Sequence, residues 1–160
     1  MSSTQGALLL ALMSVSQVFG QQIFGHLSDG KVHLDILAGI STIVAGLIVY
    51  TGWGLAHTFP ALAVFSLIYG FFASGYTALW LRMGTAVTSE RSSAFAAYGF
   101  LNVGKGLGNI LAGPVSGLLL SKTVDLAGYG AGRYEAVVLF SGTCLAFSAA
   151  VLPVWYLFKG

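Results

Sequence analysis

One lysine stands where few charges are tolerated. Lys105 lies in the middle of the apolar stretch 92–121, which carries no other charge. An ammonium at the centre of a bilayer costs at least about 2.5 kcal/mol on insertion scales, so such a residue normally faces a water-filled cavity or a partner. At helical spacing Tyr98, Asn102, Asn109 and Ser116 fall within about 60° of Lys105. Asn102 and Asn109 are the chain's only asparagines, and both share this face. The chemistry on offer is non-covalent: one fixed positive charge with amide and phenol groups above and below it. That combination suits a solute passing along a polar stripe through the membrane. The competing reading is a structural lysine bonded to helix carbonyls or paired with another helix. A milder stripe on the first apolar segment, Ser14, Gln17 and Gln21, serves equally as cavity lining or as glue between helices.

Other reactive-looking residues lead nowhere. Gly104-Lys105-Gly106-Leu107-Gly108 has the composition of a phosphate loop, but it lacks the Walker spacing and a preceding strand, and it lies inside a long apolar run. His26, His33 and His57 fall in or beside loops without metal-ligand spacing, so each is read as solvated and no metal site is expected. Cys144 is the single cysteine, which excludes an internal disulfide; on an apolar helix it reads as a packing residue. No segment gathers acid, His or Cys residues as a catalytic site would require. Neither catalytic residues nor a cofactor are expected, and a net charge of +2 is too small to suggest nucleic acid.

The elements that position the lysine follow from composition. The chain has 160 residues, 56% hydrophobic and 8% charged. Soluble domains carry about a quarter charged residues, so the expected partner is the lipid bilayer. A span needs about 20 apolar residues, which leaves room for about five. The charges punctuate the chain: none before Asp29, then Asp29, Lys31 and Asp35, then none from 36 to 81, with a break at Ala56-His57-Thr58-Phe59-Pro60. Thr58 suits a cap and Pro60 a first helical turn. Arg82, Glu90 and Arg91 mark the next loop, and Lys122–Glu135 reads as a Gly-rich loop. Helices are therefore predicted near 5–25, 34–57, 60–82, 93–121 and 134–157, as one all-α transmembrane bundle. The first segment lacks the basic start of a signal peptide. Trp53, Trp80 and Trp155 fall near predicted helix ends, as interfacial anchors do. Lys31, Arg82, Arg91 and Lys159 against Lys122 and Arg133 place the N-terminus outside and the C-terminus inside. Gly104, Gly108, Ala112 and Ser116, with Gly113 and Gly117 beside them, form small-residue ridges for close helix packing, and Ser66, Gly70 and Ser74 form another. Pro114 removes one backbone bond, so a kink is expected there, with or without a functional use.

The stretch Gly25-His26-Leu27-Ser28-Asp29-Gly30-Lys31, placed between two spans, resembles the G-x-L-(A/S)-D-(R/K) loop signature of the major facilitator superfamily. Gly113-Pro114-x-x-Gly117 resembles that superfamily's Gly-Pro helix patterns. Gln5-Gly6-Ala7-Leu8-Leu9 and Ser14-Val15-Ser16-Gln17 are similar to the eighth helix of its monocarboxylate-transporter-like porters of fungi. The resemblance covers nearly the whole chain and implies the last five of twelve helices. It implies alternating access to a central pathway for small organic anions such as monocarboxylates, in the plasma membrane. It also implies that Asp29 holds the inner side through ionic contacts, with Arg82 as its candidate partner in a loop motif that includes Gly25 and Leu27. Two departures stand out. Gly30 replaces a basic residue of the motif, and the first helix lacks the acid and arginine that some animal carriers use for proton and substrate. Five helices are one fewer than a complete half, so the resemblance implies a fragment whose partners are the missing N-terminal helices of the same transporter. The alternative is a small standalone membrane scaffold or assembly subunit, for which Lys105 would be dispensable.

Overall fold

The computed structural model describes residues 3–30, 32–88, 90–121 and 134–159. They form α1 (Ser3–Asp29), α2 (Leu34–Ile48) continued by a π-helical turn (Val49–Trp53), α3 (Phe59–Val87), α4 (Arg91–Leu120) and α5 (Glu135–Lys159). No strand occurs among the described residues. Four of the spans, Ser3–Asp29, Leu34–Trp53, Phe59–Trp80 and Arg91–Leu120, are long and apolar enough to cross a bilayer. The chain is an all-α, multi-pass integral membrane protein. The sequence-predicted positions Lys31, Lys122 and Arg133, which carry part of the argument for sidedness, lie outside the described residues.

Helix starts follow local chemistry. Thr58 is extended (φ −122°, ψ 152°) and Pro60 occupies the first turn of α3, yet the Thr58 hydroxyl makes no cap bond; its carbonyl accepts from Leu62 N–H at 3.1 Å instead. Glu90 precedes α4 in the same way, and its carbonyl accepts from Ala94 N–H at 3.0 Å. α1 outruns its predicted end at residue 25. Phe24 and Ser28 are buried, and Ser28 Oγ donates to Gly25 O at 2.7 Å, which holds one more turn as far as Asp29. The expected loop signature at Gly25–Asp29 is therefore the last turn of a helix. α3 likewise runs on past residue 82 to Val87, and α4 continues as helix across Pro114.

Lipid supplies no hydrophobic drive between helices, so their adhesion rests on close contact. The main seam joins α1 to α3. Gly20 of α1 lies against the Phe71 backbone, Gly70 of α3 against Met13, and Gly75 against the Phe24 ring. Ser16 donates across the seam to Leu67 O. Phe24 meets Phe71 and Phe72 at 5.9 and 6.1 Å between ring centres, over a core of Leu37, Ala38 and Leu79. The ridge Ser66, Gly70 and Ser74 thus faces α1. α2 packs on α3 and α5, where Gly142 accepts the Tyr50 ring and Tyr50 OH shares a 2.9 Å hydrogen bond with Thr143 Oγ1.

α4 departs from expectation. It touches α3 near its start, where Gly84 lies against the Ala94 carbonyl, and Ala94 is its one buried residue. A side-chain carbon placed on Gly104, Gly108, Gly113 or Gly117 would meet nothing within 4 Å. The close packing predicted for this ridge is not made among the described residues, because no described helix lies along that face. Cys144, expected to pack, is exposed on α5.

Gly70→Val should lower stability by about 1–3 kcal/mol, the usual range for overpacking, since a β-carbon there falls 2.6 Å from Met13 O. Gly106→Ala, with open space around it, should leave stability unchanged or raise it. Unfolding titrations in mixed micelles compare the two.

Candidate functional site

Lys105 lies midway along α4, about 21 Å from the start of a helix about 45 Å long. Its neighbours come from three helices. A cavity of about 200 Å³ is lined by Gln21 of α1, Thr77 and Trp80 of α3, and Tyr98, Asn102 and Lys105 of α4. Lys105 Nζ stands 5.6 Å from the centre of the Trp80 ring, a cation–π arrangement. Asn102 Nδ2 donates to Tyr98 O at 2.9 Å, and Thr77 Oγ1 donates to Ser74 O at 2.7 Å. Gln21, Tyr98 and Asn102 bring amide and phenol groups to the cavity's lining. Lys105 carries the one charge among the residues lining it.

Four of the residues predicted for a pathway therefore share one cavity: Lys105, Asn102, Tyr98 and Gln21. Gln17 is half-buried on α1, and Asn109 is exposed a full turn beyond Lys105; neither lines it. Trp80 was expected at a helix end as an interfacial anchor. It lies inside α3 instead, 8% exposed, beneath the ammonium. α3 continues past residue 82 to Val87, so the helix does not end at Trp80, although the apolar span does. Trp53 ends the π-helical turn and stacks on Phe65 at 5.8 Å. Trp155's side chain lies outside the described residues.

Toward one end of the bundle, a shallow hollow of about 450 Å³ follows the same face of α1, lined by Gln21, Gln22, Gly25, His26, Asp29 and Ala78. At its rim Arg82 Nη1 donates to Asp29 Oδ1 at 2.9 Å, the pairing expected from the sequence. Leu27 is exposed beside it. Both partners are solvated, with side chains 43% and 70% exposed, so the contact is worth less than about 1 kcal/mol. Gln21 borders both the hollow and the Lys105 cavity, which links them along α1.

A larger cavity of about 770 Å³ lies near the opposite end, walled by Met13, Trp53, Leu62, Phe65, Tyr69 and Tyr134. It is mostly apolar and holds none of the predicted site residues. Near it, Glu135 opens α5. It is 1% exposed, and neither carboxyl oxygen has a partner among the described residues. In the sequence Glu135 falls where the Lys122–Glu135 loop meets the helix predicted from residue 134. The signal that could have found it is an acid in a helix's first turn, where the helix dipole favours negative charge. His57 is exposed, and no group of metal-ligating residues gathers among the described residues.

The comparisons agree with this picture. The chain is 25% identical over 153 residues to monocarboxylate transporter 12 of Mus musculus, covering 94% of this chain and 30% of that protein. It is 29% identical over 152 residues to monocarboxylate transporter 2 of Mesocricetus auratus (91% and 29%), and 28% identical over 149 residues to monocarboxylate transporter 9 of Rattus norvegicus (92% and 28%). The chain thus spans about three-tenths of the length of these relatives, which are named as transporters rather than enzymes. No family profile and no solved structure matches it.

Two expected outcomes follow from the ionic contacts. Asp29→Arg and Arg82→Asp should each lower thermal stability slightly, the exchanged pair should recover the loss, and added salt should shrink the difference. The Glu90 carboxyl is held below the usual carboxylate range, chiefly by the Ser92 hydroxyl at 2.7 Å and then by that of Ser93 at 3.0 Å. A lowered folded-state value means this contribution is present above the ordinary glutamate range and is lost as pH falls through the lowered value. Carboxyl NMR titration should place Glu90 below an ordinary glutamate, with Ser92→Ala returning it further than Ser93→Ala.

Proposed function

We propose that this chain is the C-terminal part of a secondary transporter of the major facilitator type, and that it moves small organic anions, monocarboxylates first among them. The observation that carries the reading is the Lys105 ammonium halfway along a membrane helix, opening on a cavity shared by α1, α3 and α4. The relatives supply the class of solute, since three proteins matched along nine-tenths of the chain are named as monocarboxylate transporters. In this reading Lys105 attracts the carboxylate, while Gln21, Tyr98 and Asn102 take over the hydrogen bonds that water supplied outside. Gln17 and Asn109 continue the polar path along α1 and α4.

The bare face of α4 fits the same reading. Gly104, Gly108, Gly113 and Gly117 meet nothing within the chain, and small residues on a membrane helix suit close approach by another helix. Further helices of the same transporter cover that face. The Asp29–Arg82 pair fastens the inner ends of α1 and α3 in one of two alternating states, and Gly25 and Leu27 belong to the same motif. The plasma membrane is the proposed location. A standalone scaffold would have no use for an exposed cation halfway along a membrane helix at the mouth of a polar cavity.

The test is uptake of labelled lactate or acetate by cells expressing the chain together with the helices encoded beside it. Lys105→Ala should abolish saturable uptake while protein level persists, and Lys105→Arg should retain part of it. Normal uptake by the alanine variant would remove the assignment.

A further inference from the structure

Trp80 has a feature that a cation–π contact leaves unexplained. The residue is 8% exposed, and its indole Nε1 is enclosed with no hydrogen-bond partner among the described residues. An indole N–H can only donate, and a buried donor left unmet carries a penalty of about 1–3 kcal/mol. Acceptors are close at hand: Gln21, Tyr98 and Asn102 line the same cavity, yet none takes this hydrogen. The other charged or strongly polar group beside Trp80 is Lys105, which also only donates. Trp80 and Lys105 both line one space of about 200 Å³, and as donor-only groups neither can satisfy the other. What completes them is an acceptor with negative charge.

We infer that Trp80 is a second binding group for the anion: its ring holds the Lys105 ammonium in place, and its indole N–H donates to one carboxylate oxygen while the ammonium holds the other. This rests on the carrier reading above and adds to it a residue on α3. The ring is fixed for the task, since Tyr76 packs its edge against Trp80 at 90° with ring centres 6.2 Å apart. A carboxylate, with two oxygens on one carbon, matches a cation and a nearby N–H better than a halide does, because a single-atom anion has one centre to share. In the present conformation the N–H is closed off, so binding involves a small displacement of the side chains that cover it. The arrangement separates the two contributions of the indole. Phenylalanine at position 80 would keep a ring under the ammonium and lose the donor; leucine would lose both.

The experiment uses the full chain in lipid nanodiscs, with indole ¹⁵N labelling and the three tryptophan signals assigned by single Trp→Phe variants. Titration with acetate at constant ionic strength should move the Trp80 N–H resonance downfield and saturate, whereas chloride should not. Lys105→Ala should weaken the apparent affinity at least tenfold. Trp80→Phe, followed by calorimetry, should weaken it severalfold, and Trp80→Leu more. In the uptake assay Trp80→Phe should raise KM with little change in maximal rate, a split that a purely structural role would not produce. A Trp80 resonance unmoved by acetate, or moved equally by chloride, overturns the inference. If Lys105→Ala still abolishes uptake in that case, the carrier reading stands and only the tryptophan's part in it falls. If the resonance responds to acetate and uptake is absent, the reverse holds.

Discussion

Helices in lipid are not squeezed together by water, and in this protein the seam between α1 and α3 supplies the adhesion instead. Backbone meets side chain or backbone at Gly20, Gly70 and Gly75, where any β-carbon would collide. The Ser16 hydroxyl closes on the Leu67 carbonyl across the same seam. These contacts are short-ranged, so they specify register as well as proximity. Once Gly20 is set against Phe71, Gln21 must lie beside the next turns of α3, near Thr77 and Trp80. Asp29, two turns further along α1, is then within reach of Arg82. The cavity and the ion pair are consequences of that one alignment.

The placement of Lys105 shows how a costly residue is accommodated. Its ammonium is not sunk among apolar side chains. It rests over the Trp80 ring, whose electron-rich face favours a cation, beside a cavity lined by amide and hydroxyl residues of three helices. The ion pair at the bundle's end belongs to a different regime. Asp29 and Arg82 are solvated, so their contact is weak and sensitive to salt. The two contacts thus meet on α3, one joining it to α4 and the other to α1.

Much of this was legible in the residues, and the exceptions have physical reasons. Charge spacing, with the break at Ala56–Pro60 dividing the charge-free run 36–81, located five apolar segments, because a bilayer penalises charge heavily. The stripe of Tyr98, Asn102 and Lys105 followed from helical periodicity, which does not depend on tertiary context. Helix ends were harder: Phe24 and Ser28 are held in α1 by burial against a neighbouring helix, which no local rule reports. The burial of Trp80 was illegible for the same reason, since it depends on which neighbours close over the ring. The π-helical turn at Val49–Trp53 had no marker at all; it is read only once Gly52 is seen lying against Phe65. Glycines presented the reverse difficulty. Spacing flagged the ridge on α4, and spacing cannot tell a face that is covered from one that is bare.

That bare face has a mechanical consequence. Glycine lowers the stability of a helix interior by roughly 1 kcal/mol relative to alanine, and proline at position 114 removes a backbone bond. Gly99, Gly104, Gly106, Gly108, Gly113 and Gly117 all stand uncovered along α4, whereas along the α1–α3 seam Gly20, Gly70 and Gly75 are wedged against a neighbour. The chain thus joins a compliant rod to a clamped one. Lys105 rides on the first and Trp80 on the second, so bending of α4 would be felt directly as a change in the gap between them.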